Sequence, residues 1–270
     1  FAFLEFSAPD KKILHEQFIK MGFTPTHKHE LEDIVLYQQG DIKFILNHSQ
    51  NGQPAQHAKH HGAGPCAMGF NVANARDAYH HALNKGASDF KESAQVSHGL
   101  LAIEAIGGSV IYFVDKDNQP FQNKWQSLDI GHEHQNSAEL KRIDHLTHNV
   151  FRGNMDKWAS FYEDIFNFHE IRFFNIQGQM TGLISRALSS PCGKIKIPLN
   201  ESRDDKSQIE EFLHEYKGEG IQHMALTTDD IYSTVKALKH NGVQFLDVPD
   251  TYYDVVDQRI PWHEESIFNL

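Results

Sequence analysis

The feature that most constrains the fold of this chain is a repeated unit, in the order strand, helix and two or three further strands. The four units begin with the segments 3–6, 66–72, 143–150 and 221–227. A helical pattern of apolar residues follows each segment, and in the second and fourth units it ends at Gly86 and Gly242. Because internal repeats dominate the fold of a chain, the sequence predicts four βαβββ modules.

Short apolar runs after three of the helices predict the remaining strands. These are residues 34–37 with 42–46, 101–105 with 109–114, and 183–187 with 194–199. The fourth unit has one such run, 243–248, so we expect its last strands to lie beyond residue 270. The pattern predicts an α+β protein whose four βαβββ modules pair into two open-barrel domains, with helices outside and a small-molecule cavity inside.

A polar stretch from Lys116 to Lys141, rich in Asn, Gln, Asp and Lys, separates the two pairs of modules. We therefore expect an N-terminal domain at 1–125, a linker at 126–140 and a C-terminal domain at 141–270 with an incomplete last module. The length of 270 residues agrees with two domains of ordinary size.

The charge of the chain excludes some classes of partner. Lys and Arg total 25 and Asp and Glu total 36, which gives a net charge of −11. Nucleic acids and anionic membranes both require a basic surface, so neither partner is expected. The sequence has no run of about 18 apolar residues and no basic leader, and its two cysteines cannot build a disulfide framework. These features favour a cytoplasmic protein.

Two of the 19 histidines hold positions that the repeat makes equivalent. His145 lies in the first strand of the third module and His223 in that of the fourth, so their imidazoles should converge across a shared cavity. Because histidine is the commonest metal ligand, the pair predicts a metal site, with two buried core histidines as the alternative. The second module has Ala67 in place of His223, which predicts a non-catalytic N-terminal domain.

The other histidines lack the spacing of metal ligands. The two-residue period of a strand places His145 on the face of Thr147 and Asn149, and His148 on the opposite face. His148 is therefore expected to have a structural role. The histidine cluster at 57–61 falls in a segment rich in Gly and Gln and is predicted to be a loop.

Six short runs resemble the bacterial, legiolysin-like branch of the 4-hydroxyphenylpyruvate dioxygenase family. They are IDHLTHNV at 143–150, WASFYE at 158–163, IPLN at 197–200, SQIEEF at 207–212, GEGIQH at 218–223 and DTYY at 250–253. The resemblance is densest over residues 140–255 and weaker in the N-terminal half. It implies the vicinal oxygen chelate fold, also called glyoxalase-like, which agrees with the paired βαβββ modules.

The resemblance also implies one Fe(II) ion per subunit, held by two histidines and a glutamate. By motif position the histidines are His145 and His223, the pair that the repeat selects. The family's glutamate belongs to a C-terminal segment, but no Phe-Glu-Phe strand follows residue 248, and Glu264 and Glu265 lie in a different context. We therefore expect either a longer natural chain that supplies the glutamate or a fragment that does not hold iron normally.

Four polar residues match substrate-binding positions of the family, namely Ser185, Asn200, Gln208 and Gln222. Their hydroxyl and amide groups can bind a phenol or a carboxylate without competing for the metal. On a regular strand Gln222 would face away from His223. Its assignment to the cavity therefore requires a twist or a bulge.

The reaction that the resemblance implies is the conversion of 4-hydroxyphenylpyruvate and O2 to homogentisate and CO2, a step of tyrosine and phenylalanine catabolism, in a homo-oligomer. Two histidines and one carboxylate leave three positions of an Fe(II) ion open, which suits a substrate that carries its own 2-oxo acid. Three alternatives remain. They are a hydroxymandelate synthase, an extradiol catechol dioxygenase, whose local motifs are absent here, and a metal-free ligand-binding protein of the same fold.

Overall fold

The computed structural model describes residues 1–91, 98–120, 124–128, 137–177, 182–246 and 251. Its strands are β1 (Phe3–Ser7), β2 (Thr24–His29), β3 (Ile34–Gln39), β4 (Ile42–Asn47), β5 (Gly64–Asn71), β6 (Leu101–Glu104), β7 (Val110–Val114), β8 (Trp125–Ser127), β9 (Arg142–Val150), β10 (His169–Gln177), β11 (Gly182–Ser189), β12 (Lys196–Ser202) and β13 (Gly220–Thr227). Its helices are α1 (Lys11–Lys20), α2 (Gly52–His61), α3 (Ala75–Asn84), α4 (Met155–Phe166), α5 (Gln208–Tyr216) and α6 (Ile231–His240), with a short 3-10 helix at Ile106–Gly108. None of the helices in these ranges has the length and apolarity needed to span a bilayer.

The described strands form two sheets, one in each half of the chain. The first has the order β6-β7-β5-β1-β4-β3-β2-β8, and the second has the order β10-β11-β12-β9-β13. In each sheet the first strands of two modules lie side by side and antiparallel, β1 with β5 and β9 with β13. The predicted α+β class with paired modules is confirmed.

Some segments differ from the predictions made from the sequence. β2 and β10 complete the three-strand sets of the first and third modules, and polar residues interrupt the apolar pattern of both. The histidine cluster at 57–61 is not a loop, because it forms the second half of α2. Residues 243–246 form no strand, and 247–248 lie outside the described residues. β8 overlaps the predicted linker and pairs with β2.

Helix α4 covers the outer face of the second sheet. Its buried residues are separated by one, three or four positions in the sequence, a spacing that places them on one face of the helix. They are Met155, Trp158, Ala159, Tyr162 and Ile165. The apolar pattern of this helix in the sequence thus predicts which side it buries.

The two sheets differ in the face that is turned away from the helices. In β1, Leu4 and Phe6 join the main core, whereas Phe3 joins a second apolar cluster with Ile45 and Tyr112. The first sheet therefore carries buried apolar side chains on both faces. The corresponding face of β9 carries the polar side chains of His145, Thr147 and Asn149, so the second sheet is the one with a polar face suited to a site.

Two turns of the first sheet contact the starts of β9 and β13. In the turn between β3 and β4, the N–H of Asp41 donates a 2.7 Å hydrogen bond to the carbonyl of Lys141. In the 3-10 helix, Gly107 approaches the carbonyl oxygen of Glu219 so closely that a Cβ atom there would overlap it. The N-terminal half thus supports the two strands that carry the candidate histidines.

Candidate functional site

His145 and His223 lie on neighbouring strands with their rings close together. The register of β9 and β13 aligns His223 with Thr147 and His145 with Ala225, so the two imidazoles are diagonal neighbours. The ring centroids are 5.6 Å apart and the ring planes cross at 74°. Because metal–imidazole bonds are about 2.1 Å long, two rings at this separation can share one ion. The structure brings together the pair that the repeat selects.

Each of these histidines has an oxygen acceptor at its Nδ1 atom. Asp144 Oδ2 lies 2.9 Å from Nδ1 of His145, and Gln222 Oε1 lies within hydrogen-bond distance of Nδ1 of His223. Since both oxygens accept, each Nδ1 carries a proton, and in the neutral imidazole each Nε2 then keeps its lone pair. Histidines that bind metals usually donate their second N–H in this way. The donor set therefore fits a metal ion at the two Nε2 atoms.

Two bulges bring these acceptors to the histidines. The register between β9 and β13 skips Gln222 on β13 and Asp144 on β9. A bulged residue breaks the alternation of faces along a strand, so consecutive side chains can turn to the same side. Gln222 and His223 accordingly line the same cavity. The bulge that the assignment of Gln222 requires is present.

The two histidines have different electrostatic surroundings. Burial lowers the pKa of His223 and the neighbouring His145 lowers it further, which favours the neutral imidazole that binds metals. Burial raises the pKa of Asp144, but hydrogen bonds from Lys196 and His145 outweigh it and hold that pKa below its ordinary value. His145 thus faces an ionised carboxylate, whereas His223 faces a neutral amide.

Of the three ligands that the resemblance implies, the part of the chain that the structure describes contains the two candidate histidines. Within it, no group of three or more His, Cys, Asp or Glu side chains is placed to hold a metal ion. Glu264 and Glu265, whose sequence context does not match the family's ligand, lie outside the described residues.

A cavity of about 570 Å³ opens beside His223, within the size range of sites for small molecules. Amides and aliphatic side chains share its lining, including Asn200, Gln208, Gln222, Ile176, Leu183 and Ile209. Three of the four predicted substrate residues therefore surround one cavity together with His223. The mixture suits a ligand with an apolar body and polar groups.

Ser185 and His145 are not among the lining residues that the structure describes. Ser185 pairs directly with Asn200 across β11 and β12 and shares its face, one strand farther from His223. The ring of His145 lies next to that of His223, beside the cavity. Ser185 thus extends the polar face of Asn200 outward.

Gln208 reaches the cavity as the first residue of α5. The Ser207 hydroxyl accepts a 3.4 Å hydrogen bond from the N–H of Glu210 and lies 2.7 Å from the hydroxyl of Ser202 at the end of β12. This serine cap satisfies an N–H group at the helix start and fixes where α5 begins. The cap therefore determines the position of Gln208.

His148 lies on the opposite side of β9, as the strand period predicts. Its Nε2 atom is 2.7 Å from the hydroxyl of Tyr162 in α4, and the side chain is fully buried. Burial lowers the pKa of His148 to about 3, so the ring is neutral near pH 7. His148 packs beneath α4, away from the cavity.

Asn149 lines the cavity but is not one of the predicted site residues. It is almost completely buried and lies beside Asn200 in the register of β9 and β12. Its Oδ1 atom has no hydrogen-bond partner among the described residues. Buried polar atoms usually have a partner, so this oxygen is available to a ligand or a water molecule. The sequence carries a signal for it, because Asn149 shares the strand face of His145.

Two family models match the chain. The model described as hydroxyphenylpyruvate dioxygenase, N-terminal, matches residues 1–131. The model described as glyoxalase/bleomycin resistance protein/dioxygenase superfamily matches residues 142–255. Together the two matches cover both sheets.

Several known proteins are similar over the full length of this chain. The 4-hydroxyphenylpyruvate dioxygenase of Legionella pneumophila (strain Corby) is 60% identical over 100% of this chain, which spans 77% of that protein. The protein of the same name from Pseudomonas aeruginosa is 49% identical, with the same shares covered. A solved structure of a 4-hydroxymandelate synthase mutant from Streptomyces coelicolor has a TM-score of 0.81 over 96% of this chain and 80% of its own, at 21% identity. That similarity shows a common fold.

Proposed function

The chain belongs to the 4-hydroxyphenylpyruvate dioxygenase family, and we propose that it is a non-haem Fe(II) enzyme that converts 4-hydroxyphenylpyruvate and O2 to homogentisate and CO2 in tyrosine catabolism. The support from sequence is the 60% identity to a relative of that name over the whole chain. The support from structure is the pair of histidines 5.6 Å apart, each with an acceptor at Nδ1, beside a cavity of about 570 Å³.

In this proposal His145 and His223 hold one Fe(II) ion per subunit through their Nε2 atoms. A glutamate outside the described residues is the third ligand. Fe(II), when bound, supplies the oxidative chemistry, and the protein supplies binding, orientation and a water-poor cavity. The hydrogen bonds at Nδ1 keep the two imidazoles in the tautomer that offers Nε2 to the metal.

The cavity residues have the task of orienting the substrate. Asn200, Gln208 and Gln222 offer neutral amides that hydrogen-bond the phenol or the 2-oxo acid, and Ser185 extends this polar face. Apolar residues of the same cavity contact the aromatic ring and limit the access of water. Neutral groups suit this role because they do not compete with the substrate for the metal.

The proposal includes the organisation of the molecule. Residues 1–125 form the non-catalytic domain, 126–140 the linker and 141–270 the catalytic domain. The net charge of −11 and the two cysteines support a cytoplasmic enzyme that has a small-molecule substrate and no nucleic-acid or membrane partner. Ile171 and Phe173, half exposed on the edge strand β10, support contact with a second copy in a homo-oligomer.

Product analysis of the full-length protein tests this function. With Fe(II) and 4-hydroxyphenylpyruvate but no O2, we expect a visible charge-transfer band. When O2 is admitted, chromatography should show homogentisate in proportion to the substrate consumed. Hydroxymandelate as the product would instead identify a hydroxymandelate synthase. No band together with unconsumed substrate would contradict both enzymes and favour a metal-free binding protein.

A further inference from the structure

Asp144 connects His145 to a neighbouring strand. Its Oδ2 atom lies 2.9 Å from Nδ1 of His145, and its Oδ1 atom lies 2.8 Å from Nζ of Lys196. Lys196 is the residue of β12 that aligns with His145 in the parallel pairing of β12 and β9. The carboxylate therefore bridges an imidazole and an ammonium group that already lie side by side.

The bridge lies outside the substrate cavity. Asp144 and Lys196 line a separate cleft of about 360 Å³, together with Asp41 and Arg142, and neither residue lines the cavity beside His223. Their side chains are about one third exposed, at 34% and 37%. Among the described residues, Asp144 is therefore connected to the candidate metal site by its contact with His145.

We propose that Asp144, anchored by Lys196, is a positioning residue that holds His145 with its proton on Nδ1 and directs the Nε2 lone pair to the metal. This inference rests on the proposed function, because it assigns a role within the same metal site. A free imidazole exchanges between two tautomers and rotates about its side-chain bonds. An acceptor fixed at Nδ1 selects one tautomer and one ring orientation.

The two histidines differ in a way that makes the inference specific to His145. The acceptor for His223 is the neutral amide of Gln222, which also lines the cavity. The acceptor for His145 is a carboxylate with a cationic partner, and a charged acceptor gives the stronger hydrogen bond. His145 is therefore the ligand whose orientation is set independently of the substrate.

A purely structural ion pair predicts a different outcome. Partly exposed salt bridges contribute little to stability, so breaking one should leave the fold and the metal site nearly unchanged. The structure also provides a matched control, since Asp229 forms a comparable pair with Lys141 at 3.2 Å and is more exposed. No hydrogen bond between Asp229 and an imidazole occurs among the described residues.

The test compares four variants of the full-length protein: Asp144→Ala, Asp144→Asn, Lys196→Met and Asp229→Ala. Competition with a chelator gives the apparent Kd for Fe(II), and ¹⁵N NMR of the metal-free protein gives the tautomer of His145. Asp144→Ala should weaken Fe(II) binding about 10- to 100-fold and reduce the Nδ1-protonated population. Asp144→Asn keeps an acceptor oxygen and should lose less Fe(II) affinity. The Fe(II) affinity of Lys196→Met should lie between those of the wild type and Asp144→Ala. Asp229→Ala should have the Fe(II) affinity of the wild type.

Two results would overturn the inference: Fe(II) affinity of Asp144→Ala within twofold of the wild type, or an unchanged His145 tautomer in that variant. Near-UV circular dichroism checks that each variant is folded. If Asp144→Ala does not fold, Asp144→Asn and Lys196→Met provide the test. A wild-type Fe(II) affinity and an unchanged His145 tautomer in Lys196→Met would then contradict the anchoring role of Lys196. Absence of Fe(II) binding by the wild type would instead contradict the proposed function, and the tautomer comparison would still decide the role of Asp144.

Discussion

Asp144 and Gln222 are the two residues that the β9–β13 register skips, and each accepts a hydrogen bond from the histidine that follows it. The same local arrangement therefore occurs in the third and fourth modules. In both places the bulge turns two consecutive side chains toward each other. One acceptor is a carboxylate held by Lys196, and the other is an amide that lines the cavity.

The amide of Gln222 is expected to bind the substrate. Gln222→Ala should raise KM for 4-hydroxyphenylpyruvate about 2- to 10-fold, since a neutral hydrogen bond contributes about 0.5–1.5 kcal/mol. Oxygen uptake as a function of substrate concentration measures this change. Gln50→Ala, which removes an exposed amide that contacts His48, is the control and should keep the wild-type KM. An unchanged KM in Gln222→Ala would exclude Gln222 from the substrate site.

Glu219 is a buried carboxylate that organises the start of β13. It accepts hydrogen bonds of 2.8–2.9 Å from Phe151 N, Asn154 Nδ2 and Trp158 Nε1. Glu219→Ala leaves these donors without their acceptor and should lower the free energy of unfolding by about 2–4 kcal/mol in urea titrations. Exposed Glu215 provides the control, and Glu215→Ala should change stability by less than about 0.5 kcal/mol. Equal effects of the two substitutions would contradict the role of Glu219.

Gly107 and Gly108 allow a direct measurement of the contact between the 3-10 helix and β13. Both glycines have left-handed backbone angles, with φ of 63° and 73°, so alanine at either costs about 1–2 kcal/mol. A Cβ atom at Gly107 also overlaps the carbonyl oxygen of Glu219, whereas at Gly108 it meets open space. Gly107→Ala should therefore lower the free energy of unfolding more than Gly108→Ala does. Equal losses by urea titration would show that the contact adds nothing.

The low pKa values of His57 and His148 predict that the folded protein loses stability in acid. Burial lowers the pKa of His148 from 6.5 to about 3, and burial together with the neighbouring His61 and His60 lowers that of His57 to about 3 as well. The unfolded chain therefore binds more protons than the folded chain between about pH 6.5 and 3, so stability is complete above this window and falls as the pH decreases through it. At pH 5 the expected loss is about 2 kcal/mol per histidine relative to pH 7.

Urea titrations at the two pH values test this acid dependence. The stability of His148→Phe should fall about 2 kcal/mol less than that of the wild type between pH 7 and pH 5, because phenylalanine does not titrate. The exposed His80→Ala is the control and should follow the wild-type dependence. If His148→Phe follows it as well, the ring of His148 is not held neutral by the fold.

The order of the strands and helices could be predicted from the sequence because the apolar pattern repeats. Helices α3, α4 and α6 each bury one stripe, and the spacing of their apolar residues predicts them. The apolar pattern does not predict helix α2, because its buried His57 and partly buried His61 face Tyr216 of α5 rather than an apolar core. The partner that stabilises α2 lies more than 150 residues away along the chain.

The histidine pair was accessible for the same reason, since the repeat makes His145 and His223 equivalent. The family match of Gln222 already required a twist or a bulge there, but the bulge at Asp144 could not be predicted, because an extra residue in a strand depends on the register with its neighbour and leaves no local pattern. The acceptor role of Asp144 depends on one of these bulges. The strand period alone assigns Asp144 to the face opposite His145.

The iron content of histidine variants tests the central claim most directly. After loading with Fe(II) under anaerobic conditions and desalting, the full-length wild type should retain one iron per chain. His145→Ala and His223→Ala should retain almost none, because each removes one of the two adjacent imidazoles to which the proposal assigns the metal. His240→Ala, at the exposed end of α6, should retain the wild-type amount. Full iron retention by His223→Ala would contradict the assignment of the metal site to this pair.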